Sequence, residues 1–350
     1  MSEFHTLTIA AVSQQPNAVI WHFDIPEKLQ EEYRYQAGQH LTFNQTIDGE
    51  QLRRSYSICS SSLHPNRLSV LIKHIPGGQF SSWAQQQSPG NQVSVLPPTG
   101  RFILKPEEGK RYVGFAAGAG ITPIMGMMYA VLEQTETAEF ILFFGNSTAK
   151  NVLLQQHISA LKDQYGERLS VHYFLTQQQV DMAFNQGRFD TQKVTDIYQN
   201  LLKNLSVDGY YVCGPGLMID DLCNCLQSLG IEQSKIHNER FLSEGQFIKT
   251  ERKPAAKDAD VKVTMDGIEQ QFNLKAGSEK TLLESAEDAG IALPYSCRAG
   301  VCATCRCRLL DGEVDMINNY SLEDWEIKAG YILSCQSMPR SNKIHISFDE

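Results

Sequence analysis

Four cysteines near the C-terminus stand at a spacing with a definite chemistry. Cys297, Cys302 and Cys305 form a C-x4-C-x2-C run, and Cys335 follows after twenty-nine intervening residues. Four thiolates can hold two irons bridged by two sulfides, and the x4, x2 spacing is that of plant-type [2Fe–2S] sites. Gly300 lets the backbone fold tightly there, and Ala299, Ala303 and Thr304 are small. The amides of such a loop can point at the sulfurs and steady the negative charge of reduction. A structural zinc site, which favours paired C-x2-C knuckles, and chance spacing are the alternatives. Cys307 should face away from its neighbour Arg306 as a buried bystander.

A second set of residues suits a flat ring joined to a pyrophosphate. Arg54, Ser55, Tyr56 and Ser57 lie on one strand-like run, where an arginine can clamp phosphate, an aromatic can cover a flavin face, and a hydroxyl can bond its edge. An ordinary strand can carry the same string. Gly77-Gly78-Gln79-Phe80-Ser81 then opens a helix, whose free N–H groups, with the Ser81 hydroxyl, make an anion seat. Together the two motifs point to a flavin. Further on, Gly118-Ala119-Gly120-Ile121-Thr122-Pro123 follows an apolar strand. Thr122 suits an N-cap and Pro123 a first helical position, so a helix N-terminus faces whatever lies over the glycine turn. Pro123 occupies the place of a third glycine, so this is not the G-x-G-x-x-G fingerprint, and a tight turn without a ligand is the alternative. Cys213-Gly214-Pro215 ends a later strand, where open α/β sheets bind ligands, and can share a nicotinamide with Thr122.

These residues need three kinds of scaffold. LTIAAV, AVIWHF, HLTF, SYSIC, RLSVLIK and QVSVL, broken only by a helical SSWAQQQ, read as a small antiparallel β-barrel over residues 1–106. YVGFAA, EFILFFG, LSVHYFL and GYYVCG alternate with helical segments at 123–133, 150–164, 190–204 and 217–229. Asp190 stands as an N-cap and Gly230 as a stop, which predicts an α/β parallel sheet over 107–245. QFIKTERKPAAKDA, residues 246–259, loses both periodicities and reads as a linker. Residues 260–350 hold a hairpin turning at Asp266-Gly267, a helix with a Thr281/Glu284 capping box, a second hairpin RCRLL-DG-EVDM, and a last strand KIHISF. That is a small α+β fold.

The 350 residues carry a formal charge of −9, against a nucleic-acid partner. The excess is uneven: residues 258–350 hold 16 acidic and nine basic side chains, a surface suited to steering a protein partner. Glu313, Asp315, Glu323, Asp324 and Glu326, between the third and fourth cluster cysteines, are the expected docking acids. Nine cysteines and no visible secretory signal suit reduced thiols in the cytoplasm. Tyr112 to Leu132 has no charged residue, yet its glycines and Pro123 divide it into strand, turn and helix, and no membrane span is expected.

Arg54-x-Tyr56-Ser57, Gly118-x-Gly120-Ile121-Thr122-Pro123 and Cys213-Gly214-Pro215, in this order, resemble the ferredoxin–NADP⁺ reductase family. With the C-terminal cysteine module, the chain is similar to reductase components of bacterial oxygenases. FHTLTIA, GQHLTF, EQLRRSYSIC, NYSLE and GYILSCQ resemble the reductase subunits of phenylacetyl-CoA epoxidases. The resemblance implies that Arg54, Tyr56 and Ser57 hold FAD, with Ser57 near flavin N5, and that Leu71, Ile72 and Lys73 run along its phosphate side. Gly78 and Ser81 would bind the pyrophosphate. Gly118, Gly120 and Thr122 would line the nucleotide site opposite Cys213 and Gly214, and Glu239 and Phe241 would close over the flavin. NADPH is favoured by resemblance, but Ser147 stands where close relatives often have arginine, so NADH stays open. Arg188 and Lys150 are the remaining cations for a 2′-phosphate.

A nicotinamide gives two electrons as hydride and a [2Fe–2S] cluster takes one, so a flavin must stand between them. The implied acceptor is the di-iron oxygenase of a phenylacetyl-CoA epoxidase complex. The alternatives are a ring-hydroxylating oxygenase, a steroid hydroxylase, the hybrid-cluster protein, or a redox-sensing or scaffold role without turnover.

Overall fold

The computed structural model describes residues 3–241, 252–255 and 257–350, apart from the side chain of Asp324. The chain divides into two compact units, residues 2–245 and 246–350.

In the first unit, β1 (His5–Gln15), β2 (Ala18–Asp24), β3 (His40–Ile47), β4 (Glu50–Ser57), β5 (Arg67–Lys73) and β6 (Gln92–Thr99) form one antiparallel sheet in the order β4-β3-β6-β1-β2-β5. An antiparallel bridge from Ile58 to Val70 brings the two ends together, so the sheet closes into the expected barrel. Alternating side chains fill it: Leu7, Ile9, Trp21, Phe23, Leu41, Phe43, Val70 and Ile72 are all buried. Helix α1 (Gln79–Ala84) covers one side through Phe80 and Ala84.

The sequence then changes period. Strands β7 (Arg111–Ala117), β8 (Glu139–Asn146), β9 (Leu169–Leu175), β10 (Gly209–Pro215) and β11 (Ile236–Phe241) build a wholly parallel sheet in the order β11-β10-β7-β8-β9. Helices α2 (Ile121–Gln134), α3 (Gln155–Tyr165), α4 (Thr191–Ile197) and α5 (Gly216–Ser228) connect them. Asp190 caps α4 by accepting from Lys193 N–H at 2.8 Å. The strand order reverses between β7 and β10, which opens a crevice at their carboxyl ends. One core joins this sheet to the barrel, because Ala18, Ile20 and Leu71 pack with Ile121, Met125 and Phe144. The uncharged stretch from Tyr112 is indeed β7, a turn and α2, and among the described residues no helix is long and apolar enough to cross a membrane.

In the second unit, β12 (Ala259–Met265), β13 (Ile268–Leu274), β14 (Arg306–Asp311), β16 (Tyr331–Leu333) and β18 (Lys343–Ser347) form a mixed sheet in the order β13-β12-β18-β14-β16. Helix α6 (Leu282–Asp288) lies on it, opened by the Thr281–Glu284 capping box, and a second short helix is α7 (Asp324–Lys328). RCRLL-DG-EVDM is not a hairpin. Both edges of β14 are taken by β16 and β18, so β15 (Val314–Met316) leaves the sheet and pairs with β17 (Ser337–Pro339) instead. Of the expected linker, residues 246–251 and 256 lie outside the described residues. Its later part is held by this unit: Ala255 is buried in the core and Arg340 donates to the Pro254 carbonyl at 3.0 Å.

Candidate functional site

Three expected segments of the first unit meet where the barrel adjoins the carboxyl edge of the parallel sheet. Ser57, the last residue of β4, is buried and donates its hydroxyl to the Glu239 carboxylate at 3.3 Å. Glu239 lies on β11, directly beside Cys213 on β10. Burial first, and the Glu239 charge second, push the Cys213 thiol well above its ordinary value, so it stays protonated. The close neighbour that sequence reasoning missed is His40. It pairs with Ser57 across β3 and β4, its Nε2 lies 3.3 Å from Thr99 Oγ1, and its Nδ1 lies 4.0 Å from Glu239. Burial pulls His40 down to about 4 and outweighs the attraction of that carboxylate. A lone histidine on a strand gives no sequence signal of this.

The glycine turn reaches the same place by close backbone approach. A Cβ on Gly120 would sit 2.1 Å from the Cys213 carbonyl oxygen, so only glycine lets the turn lie against β10. The helix itself starts two residues earlier than expected. Gly120 is the N-cap, and Thr122 and Pro123 are inside the first turn. Thr122 Oγ1 donates to the Ala119 carbonyl at 3.0 Å, which shapes the turn from within. The structure thus brings Gly118, Gly120, Thr122, Pro123, Cys213, Gly214 and Pro215 to the β7–β10 crevice, with Ser57 and Glu239 at its rim.

On the barrel, Tyr56 packs between Phe43 and Phe80, with ring centroids at 6.0 and 5.6 Å. The Ser55 hydroxyl lies 3.0 Å from Thr42 Oγ1, and Arg54 donates to the Arg53 carbonyl at 2.9 Å. Leu71 and Ile72 bury their side chains, so they can offer a ligand only backbone. Past Val70, β5 has a strand partner on one edge only among the described residues, and the Ile72 carbonyl accepts from the Gln85 side chain at 3.1 Å. Lys73 is exposed, and its Nζ would lie 3.5 Å from a Cβ placed on Gly118. A cation, a half-covered aromatic and an unpaired strand edge on one side, facing a glycine-lined crevice on the other, fit a flavin dinucleotide with a nicotinamide nucleotide beside it. The Ser81 hydroxyl is engaged inside its own loop, accepting from Ile75 N–H at 3.1 Å and lying 3.2 Å from the Gly78 carbonyl oxygen. Phe241 ends β11 and packs against the shared core.

Nucleotide selection falls to loops after β8 and β9. Ser147 accepts from the Asn151 side chain at 2.8 Å, and its carbonyl accepts from Gln177 N–H at 2.8 Å. Lys150 and Arg188 are both exposed.

The four cysteines of the second unit stand in two pairs. Cys305 and Cys335 have their sulfurs 3.2 Å apart, and Cys297 is hydrogen-bonded to Cys302. Hydrogen bonds from their partners hold Cys297 and Cys335 below the ordinary thiol range, and the partners are correspondingly raised. Arg298, Gly300 and Ala303 all have φ between 53° and 77°, a left-handed backbone that two of them adopt against preference. Those turns direct amides inward: Ala299 N–H lies 3.4 Å from Cys297 Sγ, and Cys297 N–H 3.5 Å from Cys302 Sγ. The Thr304 hydroxyl is buried without an oxygen or nitrogen partner, beside the Cys302 sulfur. Among the described residues no three His, Cys, Asp or Glu gather as ligands of one ion. Amides and a spare hydroxyl aimed at paired sulfurs fit [2Fe–2S] rather than zinc. Gln336, missed in the sequence although it adjoins Cys335, donates to the Arg298 carbonyl at 2.8 Å and ties the loop down. Cys307 is buried and its thiol pushed up by that burial, as expected of a bystander. Of the expected docking acids, Glu326 is wholly buried against Arg306, and Asp315 is paired with Arg340 at 2.6 Å. Glu313 and Glu323 are exposed.

Comparison with known proteins agrees module by module. Residues 8–103 match the oxidoreductase FAD-binding domain, 115–224 the oxidoreductase NAD-binding domain, and 263–340 the 2Fe-2S iron-sulfur cluster binding domain. The chain is 39% identical to the E component of the 1,2-phenylacetyl-CoA epoxidase of Escherichia coli K12, over 100% of this chain and 99% of that one. It is 29% identical to the ferredoxin reductase component of 3-ketosteroid-9-alpha-monooxygenase from Rhodococcus rhodochrous, over 98% and 96%. The solved structure of phthalate dioxygenase reductase shares the fold, with a TM-score of 0.61 at 22% identity over 99% and 98% of the two chains.

Proposed function

This chain belongs to the ferredoxin–NADP⁺ reductase family, among the NAD(P)H-dependent reductases that carry FAD and a C-terminal [2Fe–2S] domain, and from that premise we propose that it supplies electrons to the di-iron oxygenase of a phenylacetyl-CoA epoxidase. The observation that carries this reading is the 39% identity to the Escherichia coli epoxidase component along the whole length of both chains. We divide it into a flavin domain at 1–106, a nucleotide domain at 107–245, a linker from 246 and a ferredoxin domain at 260–350. Its setting is the cytoplasm, since all nine cysteines are free thiols and four are assigned to a cluster.

When bound, the flavin supplies the conversion of a two-electron hydride donor into single electrons. The chain's own residues arrange that exchange. Arg54, Ser55 and Tyr56, with the backbone of Leu71, Ile72 and Lys73, hold FAD, and the loop at Gly78 and Ser81 takes its pyrophosphate. Gly118, Gly120, Thr122 and Pro123 bind the nucleotide against Cys213, Gly214 and Pro215. Ser57 presents its hydroxyl where the two rings would meet, held there by Glu239 at 3.3 Å. A neutral His40 and a protonated Cys213 flank that pair, so Glu239 is the site's charged group among these four. Phe241 closes the end of β11. Cys297, Cys302, Cys305 and Cys335 ligate the cluster. NADPH is the proposed donor and NADH the alternative.

Reconstitution with candidate oxygenases is the test. Phenylacetyl-CoA with its epoxidase subunits should accelerate NAD(P)H consumption and yield the epoxide. The second reading, a reductase for another oxygenase, is favoured by the 29% identity to the steroid component. It would prevail if a steroid monooxygenase accepted electrons while the epoxidase did not.

A further inference from the structure

Glu326 is 0% exposed, an unusual place for a carboxylate. Its Oε1 accepts from Arg306 Nε at 2.8 Å, and its Oε2 accepts the Glu323 N–H at 3.0 Å, which caps α7. The Arg306 guanidinium lies 3.4 Å from the centre of the Tyr331 ring and is about a quarter exposed. Capping a five-residue helix does not need a buried charge, since a neutral acceptor would serve. A buried ion pair contributes little net stability over apolar packing, so its placement asks for another reason.

That placement is beside the cluster cysteines. Arg306 follows Cys305 directly and pairs across the sheet with Leu333, two residues before Cys335. An electron added to the cysteine-held group adds negative charge, which a neighbouring cation favours and a neighbouring anion opposes. Water is excluded from Glu326, so its charge is screened less than that of the partly exposed Arg306.

We propose that Arg306 and Glu326 are positioning residues that set the reduction potential of the [2Fe–2S] group by opposing charges, Arg306 raising it and Glu326 restraining that rise. The inference rests on the assignment of the four cysteines as cluster ligands. Three full-length, cluster-loaded variants test it: Glu326→Gln, Arg306→Gln and the two together. Gln at 326 removes the charge and keeps one acceptor oxygen, so it can serve the cap or Arg306 but not both. Redox titration followed by the cluster's electron paramagnetic resonance should show an upward shift for Glu326→Gln and a downward shift for Arg306→Gln. The double variant should return towards the original potential, with unchanged g-values throughout. Arg306→Lys, which keeps the charge, should stay near the original and carries the test if Glu326→Gln folds poorly. Shifts of one sign in all variants, no shifts, or loss of the cluster from Arg306→Gln and Arg306→Lys alike would reduce the pair to a structural clamp and overturn the proposal. An unaltered chain that takes up no cluster would instead sink the cysteine assignment, and this proposal with it.

Discussion

The cluster loop and the flavin–nicotinamide site solve the same problem, holding a redox group, by opposite means. The cluster loop uses backbone strain over nine consecutive residues: Arg298 and Ala303 sit at φ 53° without being glycine, and amides lie within 3.5 Å of sulfur. The other site is spread over 183 residues, from Ser57 to Glu239, and its strand-borne members sit at the ends of ordinary strands. It is assembled by topology, because the reversal between β7 and β10 places Gly120 against Cys213. A local site should therefore fail locally, and a distributed one should fail by misalignment.

The largest expected effect breaks the local site alone. Cys302→Ser should abolish the cluster and leave a flavin-loaded protein, since residues 246–350 form their own unit with their own core. NAD(P)H–ferricyanide activity should survive, because ferricyanide can take electrons from flavin, while cytochrome c reduction should collapse. Absorbance of the purified variant reads both groups at once. Loss of FAD together with the cluster would show that the two sites are not independent.

Misalignment is tested at Gly120. Its Cβ would meet the backbone at 2.1 Å, so Gly120→Ala must push the turn off β10. A displacement near 1 Å at reacting groups costs on the order of a hundredfold in rate. NAD(P)H–ferricyanide kcat/KM should fall by about that factor with FAD retained. Gly230→Ala is the control: φ is +90° but nothing lies within 4 Å of the added Cβ, so about 1 kcal/mol of stability should go while activity stays. Equal losses of activity in both would remove close approach as the explanation.

The neutral imidazole at the rim offers a pH test. His40 has a folded value of about 4 against 6.5 when exposed, so the unfolded chain binds the proton first. Stability should be intact above pH 6.5 and fall as the pH drops towards 4, by about 2 kcal/mol between pH 7 and pH 5. His40→Gln should flatten that part of the profile, measured by urea unfolding of the full chain followed through its tryptophan fluorescence. An unchanged slope in the variant would assign the acid sensitivity to another group.

The same contrast decides what could be read from sequence. Cys297, Cys302 and Cys305 declare themselves because three of the four ligands fall in one short loop at a diagnostic spacing, and the hairpin at Asp266-Gly267 does so because two successive left-handed residues fit little else. His40 and the Ser57–Glu239 bond were invisible, since nothing local ties residues 182 positions apart. RCRLL-DG-EVDM misled for a related reason: Asp-Gly signals a turn but not the partner, and β14 finds stronger pairing with β16 and β18. Glu326 looked like a surface acid because charge in a sequence carries no mark of burial; its ion pair with Arg306, twenty residues away, helps make that burial tolerable.

The smallest effect concerns the far edge of the distributed site, where the nucleotide is chosen. Ser147 is engaged with Asn151, and the adjoining Gln177 and Gln178 are neutral, so these positions offer no fixed charge to a 2′-phosphate. Arg188 is exposed, in a segment that lies along the end of β9 through the Gly187–Leu175 hydrogen bond at 2.9 Å. If NADPH is the donor, Arg188→Ala should raise its KM roughly tenfold, since one charged contact is worth about 1.5 kcal/mol. NADH kinetics should hardly change, because the 2′-hydroxyl presents no charge there. Higher salt should narrow the difference, as the contact is solvent-accessible and screened. Steady-state kinetics with both donors across a salt series makes the measurement. Equal effects on NADPH and NADH would show that Arg188 supports the loop and does not read the phosphate, leaving Lys150 as the cation to examine.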